Sequence, residues 1–211
     1  MRFASMRALD ISNGENVGVS LFVQGCPFHC YNCFNHETWN FDGGKEWTEE
    51  TKNKFMELID RPYIKRISIL GGEPLAEQNL DGVLDLIKEI RKKYPISKNT
   101  DCENPYKSSV SENDNSDEIR ISYPEKSIWL YSGYTWEHIM DCIAYDEQGA
   151  FFFTEDSKLR YKILTNVDIF VDGEYIDEQR DITLAYRGSK NQRVIDVQQS
   201  LKQNKIVLYC D

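Results

Sequence analysis

Residues 17–24 (VGVSLFVQ) form a run of β-branched and aromatic side chains stopped by Gly25, the pattern of a buried strand. Thr48 is placed to cap a helix running to about Asp60, with Phe55, Met56 and Ile59 on one face. Residues 66–70 (RISIL) read as a second strand, ended by Gly71 and Gly72. Leu80, Val83, Leu84, Ile87 and Ile90 then recur at helical spacing, predicting a helix from about Gln78 to Tyr94 that closes before Pro95. Residues 127–131 (SIWLY) resume the strand pattern, and Trp136, Ile139, Met140 and Ile143 mark a further helix. Residues 167–171 (VDIFV) form another strand, ended by Asp172 and Gly173, and residues 194–197 and 205–209 read as late strands. There is no internal repeat. Strands alternating with helices predict an α/β fold: a mostly parallel sheet, right-handed crossovers and flanking helices. Ligands of such sheets sit beyond the carboxyl ends of the strands. The segment after residue 24 and the Gly71-Gly72 turn both fall there.

One stretch breaks the pattern. Residues 97–118 hold six acids, two lysines, five serines and four asparagines, with only Cys102, Tyr106 and Val110 apolar. So few apolar groups cannot offset the entropy of ordering, so the chain reads as a single domain, 1–211, carrying an acidic surface insertion at about 97–123.

The overall charge supports a narrow set of partners. With 25 Lys+Arg against 35 Asp+Glu the formal net charge is −10, which opposes broad binding to nucleic acid or anionic lipid. No apolar run approaches the ~18 residues of a membrane span, and residues 1–20 lack a secretory apolar stretch, so a cytoplasmic location is expected.

Three of the six cysteines stand within eight residues, as Cys26-Pro-Phe-His-Cys30-Tyr-Asn-Cys33. Random placement of six cysteines in such a chain yields this spacing about 0.005 times, so a shared ligand role is favoured. Three thiolates on one short loop can wrap a compact centre. Two centres fit: zinc, with His36 or His29 completing a Cys3His set, or a cubane iron–sulfur cluster that leaves one iron open. The turn Gly71-Gly72-Glu73-Pro74 adds bare backbone that a ligand can approach and a carboxylate that can accept from an ammonium.

The C-x3-C-x2-C spacing followed by GGEP resembles the radical S-adenosylmethionine superfamily. Residues 26–39 (CPFHCYNCFNHETW), 71–75 (GGEPL), 168–175 (DIFVDGEY) and 187–197 (RGSKNQRVIDV) narrow the resemblance to its glycyl-radical activases, those of anaerobic ribonucleoside-triphosphate reductase. Many superfamily members carry an aromatic residue before the third cysteine, where this chain has Asn32.

The resemblance implies a partial, open TIM-like barrel. It implies a [4Fe–4S] cluster on Cys26, Cys30 and Cys33, with S-adenosyl-L-methionine on the open iron. Gly71, Gly72 and Glu73 would meet its ammonium, and Asn32, Cys33 and Phe34 its adenosyl part. One electron from the cluster would split the sulfonium, and the resulting 5′-deoxyadenosyl radical would install a glycyl radical on the reductase. Its glycyl-radical subunit and a low-potential electron donor are the implied partners. No side-chain acid or base is required beyond the cluster ligands.

Other residues carry less. Ser132, in the Ser132-Gly133-Tyr134 turn, reads equally as a contact to the cofactor or as part of a plain strand-end turn; Asp172 reads first as a turn cap. Arg187, Lys190 and Arg193 surround Gly188-Ser189 like an anion nest or a solvated basic patch. Cys102, Cys142 and Cys210 carry no spacing signal, and a buried structural thiol is the expectation for Cys142. Two other readings stay open: an activase of the pyruvate formate-lyase type, and a non-catalytic adaptor stabilised by zinc.

Overall fold

The computed structural model describes residues 1–96, 126–146 and 149–210. The acidic segment 97–123 and Cys102 lie outside the described residues. The chain opens with strand β1 (Arg2–Asp10), followed by β2 (Gly18–Val23), a short β3 (Lys45–Glu46), helix α1 (Glu49–Ile59), β4 (Arg66–Gly71) and α2 (Glu77–Lys93). Then come β5 (Ser127–Tyr131), α3 (Trp136–Met140), a hairpin of β6 (Ile143–Asp146) and β7 (Gly149–Phe152), and α4 (Glu155–Leu164). The chain finishes with β8 (Ile169–Asp172), β9 (Arg193–Asp196), α5 (Val197–Gln203) and β10 (Leu208–Cys210).

Eight strands form one open sheet in the order β10-β9-β8-β5-β4-β2-β1-β3. The expected mostly parallel sheet is corrected to a mixed one. Only β2, β4, β5 and β8 run parallel, while β1, β3, β9 and β10 join antiparallel at the two flanks. The reason lies in the connections. Parallel neighbours need a crossover, which the helices between β2 and β8 provide, whereas the seven-residue β1–β2 connection is too short to cross the sheet and the long β8–β9 connection carries no α-helix to make a crossover.

Among the described residues, every α-helix contributes to one face of this sheet. Val19, Leu21, Val23, Ile67, Ile69, Ile128, Leu130 and Phe170 alternate along their strands to meet Phe55 and Ile59 of α1 and Leu80, Val83, Ile87 and Ile90 of α2. Trp129, Ile169, Val171 and Val194 form a smaller cluster with Tyr131, Tyr186 and Tyr209 on the other face. The central strands are thus covered on both sides, which is why they read as continuous apolar runs.

Thr48 does cap α1, accepting from the Thr51 amide at 3.2 Å. Three expected elements shift. The helix begun at Trp136 ends at Met140, with Ile143 starting a strand; Val197 opens α5 instead of closing a strand; and the last strand spans Leu208–Cys210. Cys142 is half-exposed, its thiol donating to the His138 carbonyl, so the buried-thiol expectation is also corrected. Among the described residues no helix is long and apolar enough to cross a membrane.

Candidate functional site

The carboxyl ends of β2, β4, β5 and β8 lie side by side, because their parallel register aligns Val23 with Gly71, and Leu130 and Tyr131 with Phe170 and Val171. Each end opens into one of the segments singled out from the sequence. The cysteine loop follows β2, Gly71-Gly72-Glu73 ends β4, Ser132-Gly133-Tyr134 follows β5, and Gly173-Glu174-Tyr175 follows β8.

Backbone bonds close the cysteine loop at its base: the Gly25 and Cys26 amides donate to the carbonyls of Thr38 and Trp39 at 2.7 and 3.0 Å. The buried Gln24 amide adds a bond to the Asn40 carbonyl at 2.7 Å. Within the loop His29 and Asn32 take left-handed φ values of 50° and 55°, which tighten it around the thiols. The Cys33 amide donates to the Cys30 carbonyl at 3.1 Å, and the Cys33 sulfur accepts from the Asn35 amide at 3.4 Å.

Cys26 is buried; Cys30 and Cys33 are half-buried. Burial, with the charges of Glu73 and Cys30 nearby, pushes the Cys26 thiol up to about 11. Burial, Glu174 and Cys33 raise Cys30 in the same direction. Both shifts disfavour the thiolates of the metal-free chain, and a bound cationic centre would reverse them. Among the described residues no three His, Cys, Asp or Glu side chains already converge as a metal set. Three soft donors on one closed loop nonetheless suit an iron–sulfur centre, since a cysteine side chain reorients about a single torsion. His29 stacks on Trp39 at 4.8 Å, and the exposed His36 lies near Trp39 and Glu37, at 6.4 Å between ring centroids and 3.8 Å from the carboxylate.

Glycine is required where the β4 end crosses the β2 end. Gly71 has φ +105°, and a side chain there would strike Phe22 Cα at 2.7 Å; one on Gly72 would strike the Gly25 carbonyl. The Gly72 amide donates to Val23 and the Glu73 amide to Gly25, at 2.9 and 2.7 Å. The Glu73 carboxylate, 1% exposed, is held by three donors: the Ser132 hydroxyl at 2.7 Å, the Leu75 amide at 2.8 Å and the Gly133 amide at 2.8 Å. Burial nonetheless raises Glu73 to about 7, with those bonds and the Arg160 charge acting against the shift. Ser132 in turn accepts from the Tyr134 amide at 3.0 Å. Glu73 and Ser132, expected at the cofactor, therefore lock the turns after β4 and β5 to each other.

An aromatic wall completes the site. Phe28 meets Tyr134 edge-on at 5.0 Å, and Arg160 lies over the Tyr134 ring at 4.8 Å while donating to the Leu75 carbonyl. Asp172 accepts from the Trp136 amide at 2.8 Å and from Arg193, which also grips Glu137. Lys190 pairs with Asp181 at 3.6 Å. The Gly188 and Ser189 amides donate to the Gln192 side-chain oxygen, so the nest is filled from within the chain.

Several of these residues escaped sequence reasoning. Asn79, buried on α2, donates to the carbonyls of Gln24 and Glu73 and ties both turns. Its signal was a polar residue on an otherwise apolar helical face. Arg160 and Asp177 had no local signal for these roles, because Leu75 and Asn32 lie 85 and 145 residues away from them.

Residues 12–118 and 114–195 match the family model described as a 4Fe-4S single cluster domain. The chain is also similar to curated proteins named anaerobic ribonucleoside-triphosphate reductase-activating protein. That of Vibrio cholerae is 29% identical over 91% of this chain and 96% of its own length. Those of Escherichia coli K12 and of phage T4 are 27% and 26% identical over 92% of this chain, covering 97% and 93% of theirs.

Proposed function

The chain belongs to the 4Fe-4S single cluster domain family, and on that premise we propose that it is an activating enzyme for an anaerobic ribonucleoside-triphosphate reductase. Cys26, Cys30 and Cys33 would hold a [4Fe–4S] cluster. The supporting observation is the placing of the cysteine loop beside the side-chain-free Gly71-Gly72 turn, at neighbouring carboxyl ends of parallel strands. When bound and reduced, the cluster supplies the electron for one-electron cleavage of S-adenosyl-L-methionine, the source of the radical that oxidises a glycine of the reductase.

The chain's own contribution is placement and shielding. Gly71 and Gly72 let the β4 end pack directly on the backbone of Phe22 and Gly25, which sets the turn that would meet the methionine end of the cofactor against the base of the cysteine loop. Glu73 and Ser132 hold the β4 and β5 turns together, and the acceptor capacity left on the Glu73 carboxylate would serve the cofactor's ammonium. Asn32 and Phe34, either side of Cys33, would flank the adenosyl part. Phe28 of the loop packs with Tyr134 and Arg160, a cover that would keep water from a radical that attacks whatever it meets. In this reading the four parallel strands, with helices on one face, form the partial barrel of radical S-adenosylmethionine enzymes. The expected partners are the reductase's glycyl-radical subunit and a low-potential electron donor in the cytoplasm.

Anaerobic purification tests the proposal. The expected protein is brown, carries about four irons per chain, and releases 5′-deoxyadenosine when reduced with S-adenosyl-L-methionine. Mixed with its reductase it yields a glycyl radical signal in electron paramagnetic resonance. A colourless protein that takes up zinc alone after iron reconstitution would sink the reading.

A further inference from the structure

Both neighbours of Cys33 in the chain are gripped by one distant segment. The Asn32 side chain donates to Asp177 Oδ2 at 3.0 Å, and the Tyr175 hydroxyl donates to Asp177 Oδ1 at 2.6 Å. On the other side of the cysteine, the Phe34 ring meets Tyr175 edge-on at 5.8 Å and lies under the Arg180 guanidinium at 5.4 Å. Phe34 is 65% exposed, and these two contacts hold its ring against the protein.

The segment is itself anchored from behind. The Ile176 amide donates to the Ser189 hydroxyl at 3.2 Å, Asn191 donates to the Glu174 carbonyl at 2.8 Å, and the Lys190 amide donates to the Gln179 carbonyl at 3.0 Å. A 3-10 turn over Asp177–Gln179 sets the Asp177 side chain toward the loop. The strings that surround Tyr175 and Asn191, which the cysteine chemistry leaves without a role, thus form a brace behind the third cysteine.

Asn32 explains why a brace is needed. Its φ of 55° lies in the left-handed region, where an asparagine is tolerated but not held. A relaxed Asn32 would rotate the following peptide, and with it the Cys33 amide that bonds Cys30 and the sulfur that Asn35 contacts. We infer that Asp177, held by Tyr175, is a positioning residue for Cys33: through Asn32 it fixes the backbone turn that aims the third thiol. The inference rests on the reading of Cys33 as a cluster ligand. It extends the usual behaviour of partners behind metal ligands, whose loss weakens metal retention roughly 10–100-fold.

The test compares Asp177→Ala and Asp177→Asn with Asp181→Ala, a control in the same segment whose carboxylate bonds Thr183 and Lys190 instead. In the iron-free chain, iodoacetamide labelling of Cys33 is followed by mass spectrometry. In the loaded chain, bleaching of the cluster absorbance by a chelator is followed under anaerobic conditions. Asp177→Ala should accelerate both, chelator bleaching by about tenfold, with a melting temperature no lower than that of the control. Asp177→Asn keeps a carbonyl acceptor for Asn32 and should restore most of the wild-type rates. Wild-type rates in Asp177→Ala, or equal acceleration in Asp181→Ala, overturn the inference. If wild type takes up no iron, the cluster reading fails, and the labelling of Cys33 alone decides whether Asp177 holds the loop.

Discussion

Glu73 carries two demands on one carboxylate. Its surroundings exclude water, yet three donors from two separate turns converge on its oxygens. Burial wins, raising the group to about 7 from the ordinary 4.5. A folded-state value above the unfolded one means that the folded chain binds the proton more tightly. The associated stability is fully present below pH 4.5 and is lost as the pH rises through about 7. The loss is on the order of 3 kcal/mol for a shift of this size. In the iron-free chain, the stability advantage of wild type over Glu73→Gln should therefore shrink between pH 4.5 and 7, as measured by urea unfolding at each pH. A constant difference would remove the titration from the account. The sequence made Glu73 readable as a carboxylate at a strand end, whereas its bond to Ser132, 59 residues on, came only with the fold.

The antiparallel flank depends on a buried ion pair that no strand pattern reveals. Asp10 at the end of β1 reaches across β2 to Arg66 at the start of β4, with Oδ1 at 2.6 Å from the guanidinium and both side chains at most 1% exposed. Arg66 also donates to the carbonyls of Asp10, Gly14, Glu15 and Asn16, so it pins the whole β1–β2 connection. Asp10→Ala leaves a buried guanidinium without its counter-charge and should cost about 3–5 kcal/mol in denaturant unfolding. A loss below 1 kcal/mol would mean that the carbonyls alone suffice. The parallel strands β2, β4, β5 and β8 were legible because burial on both faces gives unbroken apolar runs. Strand β1 was not, since only Phe3 and Asp10 of it are buried, and α4 was not, since its buried positions are Ser157, Ile163 and Leu164 alone. An element that contributes two or three side chains to a core leaves almost no periodic trace.

At the scale of the molecule, the main core and the cysteine loop are separable. Among the described residues, the large cluster beneath the sheet draws on all five helices and contains none of Cys26, Cys30 and Cys33. Folding is therefore expected not to wait on metal, unlike in small zinc modules whose binding energy is their folding energy. Cys30→Ala should abolish cluster binding and leave the far-ultraviolet circular dichroism of the iron-free wild type unchanged. Loss of the helical signal would show that the loop is part of the fold.

Sequence alone determined whatever depends on residues close together in the chain. The cysteine triplet, the GGEP turn, the cap at Thr48 and the buried parallel strands are all local patterns, and a local pattern carries its chemistry with it. Tertiary structure alone decided the direction of the flanking strands, the partners of Glu73, and the meeting of Asn32 with Asp177 across 145 residues. Those outcomes are set by which surfaces pack together, since a side chain 145 residues away becomes a neighbour only when a sheet and its crossovers bring it there. The cysteines could be read from their spacing; what holds them in place could be read only from the fold.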